Sequence, residues 1–597
     1  MEPNAAVETG AGRGMQALRP RFLMRARLFF AWLLAGPQAE RLKKAKTRVG
    51  LAMAGFGALY LVIAVSMVLY AVNGDPAQRN AGRAQDAVSS ARPDIIDRNG
   101  EVLATDIRTQ SLFAEPRKLA ASFDVDEATE LLTAVLPDLD QREVRERLRS
   151  GKGFVWLRRE ITREQQAQIH RLGIPGIGFL REAKRSYPNG PTLSHVLGHV
   201  DIDNQGIAGL ERYIDRRGLA ELHRAGFATS RNQEPVQLSI DLRVQHVLRD
   251  EMLKAFQRFR AKAAAGVIMD VDTGEIIAMA SIPDYDPNHP GGSHGDDRIN
   301  RLTTGVFEMG SVMKALTLAM AMDSGRFNIN SSIDARFPFS IGRHQVKDFH
   351  AQRRVLMLPE IFTYSSNIGT SRLALALGGE HQRAFLRRMG QLTRLQTELP
   401  ESAAPLLPRR WAEITTATVS FGHGLSVAPL QAVMGTAALV NGGLLITPTF
   451  LRRTPEQAQA AATRVIRPET SANMRFLMRL NAERGSGRRA DVEGYYVGGK
   501  TGTAEKVIGG RYAKDRLLNS FMAVFPADRP RYILLITLDE PKGIPETHGL
   551  ATAGFNAAPT AGRVIARAAP LLGLQPRFDM APAGQAIQVG YRGPGGR

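Results

Sequence analysis

The 597-residue chain carries 78 Lys and Arg against 58 Asp and Glu, a formal net charge of +20, with 44% hydrophobic and 23% charged residues. That length exceeds one compact core, so two or more domains are expected, and the basic excess points to an acidic partner: nucleic acid, anionic lipid or an anionic polymer. With no cysteine in the chain, disulfides, thiolate catalysis and cysteine-type zinc sites are excluded.

Residues 1–48 form a basic tail in which Arg41, Lys43, Lys44, Lys46 and Arg48 crowd the start of an uncharged run, VGLAMAGFGALYLVIAVSMVLYAV, at 49–72. Roughly 24 apolar residues suffice for a bilayer span, which needs about 20. The flank after the run, Asn73-Gly74-Asp75-Pro76, lacks such a cluster, so the positive-inside rule leaves the N-terminus in the cytoplasm and exports everything after residue 72. A cleaved signal peptide is the competing reading, against which the run is long and begins far from Met1. In this orientation the basic tail holds topology and meets anionic lipid. An exported domain without a recognition motif has no use for nucleic acid.

Small polar residues at 73–91 read as a linker. In ARPDIIDRNGEVLATDI the pair Asn99-Gly100 signals a two-residue hairpin turn. The stretch 92–235 then mixes short strands with charged helical segments, such as DEATELLTAVL and QREVRERLRS, and offers no nucleophile–base pair. A second unit runs over 236–577. It opens with an Asp-initiated helix in LSIDLRVQHVLRDEMLKAFQRF, and hairpins turn at Asp272-Thr273-Gly274 and Pro526-Ala527-Asp528. Tight hairpins demand antiparallel pairing, so the unit is expected to be α+β, an antiparallel sheet with helices packed on it. Residues 578–597, rich in Gly and Pro, read as a disordered tail.

Within this second unit, FEMGSVMKALTLAMAMDSG predicts a helix from Ser311 onward that is apolar all round and hence buried. Lys314 interrupts it, three residues after Ser311 and on the same face. A buried ammonium is costly, so desolvation depresses its pKa and a neutral fraction can accept the serine proton. Alone, Ser-x-x-Lys is better read as a capping serine with a snorkelling lysine. Two further motifs change the balance. TYSSNIGTSR sets Ser365, Ser366 and Asn367 ahead of a helical run, and YYVGGKTGTAEK supplies Lys500, Thr501, Gly502 and Thr503 after a strand that ends in glycines. There the backbone can approach a ligand closely, the lysine offers a fixed charge, and the threonine hydroxyls can bind a carboxylate.

In this order the three motifs resemble the signature of penicillin-binding proteins and serine β-lactamases, with Ser366 where class A β-lactamases carry aspartate. RPDIIDRNGEVLA, GIAGLERYID, TGEIIAMASIPDYDPN, FEMGSVMK, FGHGLSVAPLQ and LLNSFMAVFPADRPRYILLITLDEPKG extend the resemblance over about 92–572. They resemble class B penicillin-binding proteins, most of all the septal, FtsI-type D,D-transpeptidases. Met309 stands where many members have proline. The resemblance implies a transmembrane helix, an elongated non-catalytic pedestal (dimerisation-type) domain at 92–235 and a penicillin-binding transpeptidase domain at 236–577 with helices on both sheet faces. It implies Ser311 as nucleophile, Lys314 as general base and Ser365 as proton relay. Asn367 would hold the substrate amide, Lys500 tune the network, and Thr501, Gly502 and Thr503 bind the substrate carboxylate end, with Ser311 and Thr503 N–H groups as oxyanion hole. No metal or cofactor is implied. The implied partners are peptidoglycan stem peptides and lipid-linked precursor strands, β-lactams, the inner membrane and divisome proteins including a glycosyltransferase. An elongation-specific transpeptidase shares the motifs, and a β-lactam sensor or a non-catalytic scaffold are the readings from another class.

Overall fold

A computed structural model describes residues 41–73, 92–215, 234–292, 295–579 and 581–583. Most of the basic tail, the linker after residue 73 and residues 584–597 therefore lie outside the described residues. Residues 1–90 and 91–597 form two compact units. In the first, helix α1 (Arg41–Asn73) is 33 residues long, and Val49, Met53, Phe56, Leu59 and Leu61 are exposed along it. Among the described residues no helix is long and apolar enough to cross a membrane.

The second unit begins with strands β1 (Ile95–Ile96) and β2 (Val102–Ala114). Their turn is longer than the two residues expected, because Ile96 pairs with Val102. Asp97 organises it, Oδ1 accepting the N–H groups of Asn99 at 2.7 Å and Glu101 at 2.9 Å. Strand β2 also pairs with β3 (Val155–Ile161) and β4 (Ile177–Ser186), and β1 pairs in parallel with β5 (Val236–Gln237). Helices α2 (Val125–Val135), α3 (Gln141–Arg149) and α4 (Arg163–Arg171) start at Asp124, Asp140 and Thr162, each capping free N–H groups with its side chain. They pack Leu132, Val144, Leu148 and Ile169 around Leu112 of β2. The GLERYID segment has its own purpose here. Glu211 is buried and pairs with Arg185 at 2.6 Å and Arg92 at 2.9 Å, while Arg185 also meets Asp106 at 3.0 Å. Removing one member would strand a buried charge.

Helix α5 (Leu242–Arg258) starts at Asp241, whose carboxylate accepts the Arg243 N–H. Five strands, β6 (Ala263–Asp270), β7 (Ile276–Ile282), β8 (Gly498–Ile508), β9 (Arg511–Phe525) and β10 (Tyr532–Asp539), form one sheet in the order β8-β9-β10-β6-β7, antiparallel throughout. Successive side chains point to opposite faces, and both faces are covered. Ile268, Phe521, Ala523 and Leu534 pack under α5 and α10 (Ala557–Leu571). Val267, Met522, Val524 and Leu535 face a larger core shared with α6 (Lys314–Asp323), α8 (Pro429–Val440) and α9 (Pro468–Arg484). Burial on both faces is why β6, β7, β10 and β9 from Leu517 onward are mostly apolar, whereas the edge strand β8 carries Lys500, Thr501, Thr503, Glu505 and Lys506. At the chain's end Arg577 pairs with Asp528 at 2.6 Å, and the Ala583 N–H donates to Glu483 at 2.9 Å.

Candidate active site

The helix expected from Ser311 begins differently. Gly310–Met313 is a tight 3₁₀ turn, and the α-helix starts at Lys314. Met309 enters this turn buried, at φ −78°, a value proline also adopts, so methionine keeps the backbone geometry that proline would set. Gly310 sits at φ +55°, which favours glycine. The segment Phe421–Gly424 presses on the same turn: a Cβ on Gly422 would lie 2.0 Å from the Gly310 carbonyl oxygen. Ser311 is half-buried, and among the described residues its hydroxyl has no hydrogen bond.

Lys314 is 1% exposed, in a helix buried from Lys314 to Met322. Its Nζ donates to the Ser365 carbonyl and, at 3.0 Å, to Ser365 Oγ. Lys500 arrives from β8, also buried, and donates to the same Oγ at 3.0 Å and to the Thr501 carbonyl at 3.2 Å. One hydroxyl thus receives two lysines. Burial, then the nearby Lys500, holds Lys314 well below the usual lysine range, with Asp348 opposing. Burial pushes Lys500 down to about 7. The fixed charge expected of Lys500 is therefore replaced by one that titrates near neutrality.

Ser365 adopts φ +56°, an uncommon conformation for a non-glycine residue that concentrates at functional sites. Ser366 caps helix α7 (Asn367–Leu377), accepting the Gly369 N–H at 3.0 Å. It donates to Asp348 at 2.7 Å, and the other Asp348 oxygen accepts the Ile368 N–H at 2.9 Å. The carboxylate absent from position 366 is thus supplied from a loop 18 residues away. Asn367 opens α7 half-buried, its amide donating to the Lys347 carbonyl at 3.0 Å.

The glycines of YYVGGKTG begin strand β8 rather than end one, and Lys500–Thr503 lies within it. β8 is the edge of the sheet and runs against the Ser311 turn: a Cβ on Gly502 would stand 2.6 Å from the Met309 carbonyl oxygen and 2.8 Å from Val312 Cγ2. The close approach that Gly502 permits is to the chain's own nucleophile turn. Thr501 is buried, its hydroxyl 2.6 Å from Ser486 Oγ. Thr503 is half-buried and accepts the Ala553 N–H at 3.2 Å, which leaves its own proton free to donate.

Ser311, Lys314, Ser365, Lys500 and Gly502 are thus brought together from two core helices and an edge strand, with Asn367, Thr501 and Thr503 beside them. Sequence reading missed Asp348, Ser486 and a group formed by Glu308, His423 and Tyr512. For the last, the Glu308 adjoining Gly-Ser was visible, but nothing local signals its partners. Among the described residues no cluster of side chains could hold a metal ion.

Two family models match the chain: the penicillin-binding protein transpeptidase domain over residues 264–566, and the penicillin-binding protein dimerisation domain over 87–219. The chain is 40% identical over 544 residues to a probable peptidoglycan D,D-transpeptidase FtsI of Caulobacter vibrioides, covering 90% of each chain. It is 33% identical to a probable peptidoglycan D,D-transpeptidase PenA of Neisseria gonorrhoeae, over 83% of this chain and 87% of that one. With the peptidoglycan D,D-transpeptidase FtsI of Escherichia coli it shares 30% identity, over 82% and 85%.

Proposed function

Since the chain belongs to the penicillin-binding transpeptidase family, we infer that it is a septal, FtsI-type peptidoglycan D,D-transpeptidase, a serine acyl-enzyme and a target of β-lactams. The observation that carries this is the single hydroxyl of Ser365 held 3.0 Å from two buried lysines beside the Ser311 turn. No ordinary core motif needs two buried amines on one serine.

In the mechanism we propose, Lys314 is neutral because burial disfavours its charge, and it takes the Ser311 proton. Ser311 Oγ attacks the carbonyl carbon of the D-Ala-D-Ala peptide bond. The oxyanion is met by the N–H groups of Ser311 and Thr503, as preorganised donors at developing charge stabilise such intermediates. The C–N bond breaks as Ser365 passes a proton to the departing D-Ala amine, and Lys314 and Lys500 replenish Ser365 through the hydrogen bonds they make to it. Thr501 and Thr503 bind the terminal carboxylate, Thr501 aligned by Ser486, and Asn367 holds the substrate amide. The free edge of β8 suits an extended peptide laid along it. An amine of a neighbouring stem peptide then attacks the ester, forming the cross-link and releasing Ser311.

Residues 1–48 are proposed as the cytoplasmic tail, 49–72 as a single-pass inner-membrane anchor, 92–235 as a pedestal and 236–577 as the exported transpeptidase domain. The charge asymmetry about residue 49 supports this topology. The proposed partners are stem peptides on lipid-linked strands and divisome proteins including a glycosyltransferase. Fluorescent penicillin tests the reading: it should label the full-length protein in a stable adduct, and Ser311→Ala should remain dark. Labelling of that variant would sink the assignment of the nucleophile.

A further inference from the structure

The three motifs grip only the reacting end of a stem peptide. The rest of the donor is a peptidoglycan strand, whose sugar rings have apolar C–H faces and whose stem peptides carry carboxylates. The chain between the nucleophile helix and Ser365 is placed to meet it. There Ser332–Asp334 pairs antiparallel with Val355–Met357, and inside that loop Phe339–Ile341 pairs with His344–Val346. This arm is tied to helix α7. Arg372 of α7 pairs with Asp334 at 3.8 Å, and its guanidinium stands 5.3 Å from the Phe339 ring centroid. Further along, the Lys347 carbonyl accepts the Asn367 amide at 3.0 Å, and Asp348 holds Ser366 and the Ile368 N–H. The arm therefore abuts the residue assigned to the substrate amide.

Its outer face is aromatic and basic. Phe337 is 69% exposed and Phe349 84%. Tyr364, directly before Ser365, is 42% exposed, and the Arg354 guanidinium lies 5.8 Å from its ring centroid. Single exposed apolar side chains are ordinary. Three aromatic rings left in water, on an arm and on the active-site loop it supports, mark a binding surface. The charge is as one-sided. Residues 336–354 hold Arg336, Arg343, Lys347, Arg353 and Arg354 against a single carboxylate, Asp348. Arg336 is paired with Asp334 and Arg354 with Glu360, and Asp348 is committed to the Ser365 loop. Arg343, Lys347 and Arg353 are exposed and, among the described residues, make no ion pair. The charges left open to a ligand are all positive.

We propose that this arm, with Tyr364, is the subsite for the donor strand. Phe337, Phe349 and Tyr364 take the apolar faces of its sugars, and Arg343, Lys347 and Arg353 take the carboxylates of its stem peptides. Aromatic rings supply apolar contact at low entropic cost, and unpaired cations suit carboxylates. The strand continues over the arm because Asn367, which holds the reacting peptide, is itself bonded to Lys347. Penicillin carries no strand and needs none of these contacts. The proposal rests on Ser311 and Asn367 as the site of the donor peptide.

Acylation of the full-length protein is compared for three donors: a fluorescent penicillin, a short soluble D-Ala-D-Ala peptide, and uncross-linked peptidoglycan strands whose stem peptides end in D-Ala-D-Ala. Two variants are made, Phe337→Ser with Phe349→Ser, and Arg343→Gln with Arg353→Gln. Each should raise KM for strands about tenfold at unchanged kcat, the signature of lost uniform binding. The short peptide and penicillin should react within about twofold of the parent rate, since neither reaches the arm. Raising salt from about 0.05 to 0.5 M should weaken strand use by the parent and by the phenylalanine variant, and much less by the arginine variant, because exposed charges are screened. Unchanged KM for strands overturns the proposal, as do equal losses with the short peptide, which would mean that the arm only shapes the active site. Loss of binding to anionic lipid vesicles with strand use intact would overturn it too, making the arm a membrane contact. Acylation of Ser311→Ala by the short peptide would overturn instead the reading on which it rests.

Discussion

Gly502→Ala probes the close approach of the edge strand to the nucleophile turn. A methyl there would stand 2.6 Å from the Met309 carbonyl oxygen, against 3.4 Å or more for an ordinary contact, and 2.8 Å from Val312 Cγ2. Neither neighbour is a free side-chain end: one is backbone, the other belongs to a buried valine. Strand β8 must therefore retreat by about 0.8 Å at Gly502, taking the adjacent Thr503 N–H away from Ser311. Overpacking of this kind costs about 1–3 kcal/mol, which a folded domain of this size survives. Catalysis is less tolerant, because displacing one oxyanion donor, or misplacing a reacting group by roughly 1 Å, costs about 100-fold in rate. The second-order rate constant for acylation by a fluorescent penicillin, read by gel quench, should fall about 100-fold while the melting temperature drops by a few degrees. A variant that acylates within about threefold of the parent would refute the contact between β8 and the Ser311 turn as the device that sets the site.

Lys314→Arg should abolish penicillin acylation although the charge stays, because arginine does not deprotonate in a protein; a labelled band on that variant would mean that Lys314 only places charge. Lys500→Met should lose activity yet gain stability at low pH: a lysine lowered to about 7 in the fold destabilises it fully below pH 7, and the penalty fades as pH rises from about 7 toward the unfolded value near 10.4. Melting curves against pH check this, and a gain that does not shrink across that window counts against it. Asp348→Ala frees the Ser366 hydroxyl and the Ile368 N–H and should cost about 2–3 kcal/mol with at least a tenfold fall in acylation; denaturant titration together with labelling kinetics measures both, and near-native values would remove Asp348 from the support of the Ser365 loop.

Much of the site was legible because its chemistry is written in short spacings. Ser311 and Lys314 sit one turn apart, and the burial of Lys314 followed from the apolar residues around it. Ser366 was readable as the residue before a helix, though its capping bond to Gly369 and its partner Asp348 were not, since the latter lies in a loop whose sequence carries no periodic pattern. Gly502 was assigned to ligand approach because a glycine in a strand signals closeness to something, and the sequence does not say to what. Lys500 read as a fixed charge because nothing in Lys-Thr-Gly reveals that Nζ ends beside Phe362, 5.7 Å from the ring centroid, in a site dry enough to lower it. Antiparallel pairing was legible in the turn residues at 272–274 and 526–528, although the second connection runs over residues 526–531 between Phe525 and Tyr532; the strand order β8-β9-β10-β6-β7 joins segments more than 200 residues apart, which no local pattern encodes. The five-residue turn at Asp97–Glu101 was misjudged because Asn-Gly dominates the local signal, while the side chain of Asp97 decides the outcome.

The central claim is that Ser311 carries the acyl group between two stem peptides. Mass spectrometry of the full-length protein quenched in acid during turnover of a D-Ala-D-Ala stem peptide measures this directly. The account predicts an adduct equal to the donor minus its terminal D-Ala, on the tryptic peptide that contains Ser311, which disappears as an acceptor amine is added and cross-linked product accumulates. An adduct on any other residue, or cross-linking by Ser311→Ala, would contradict it.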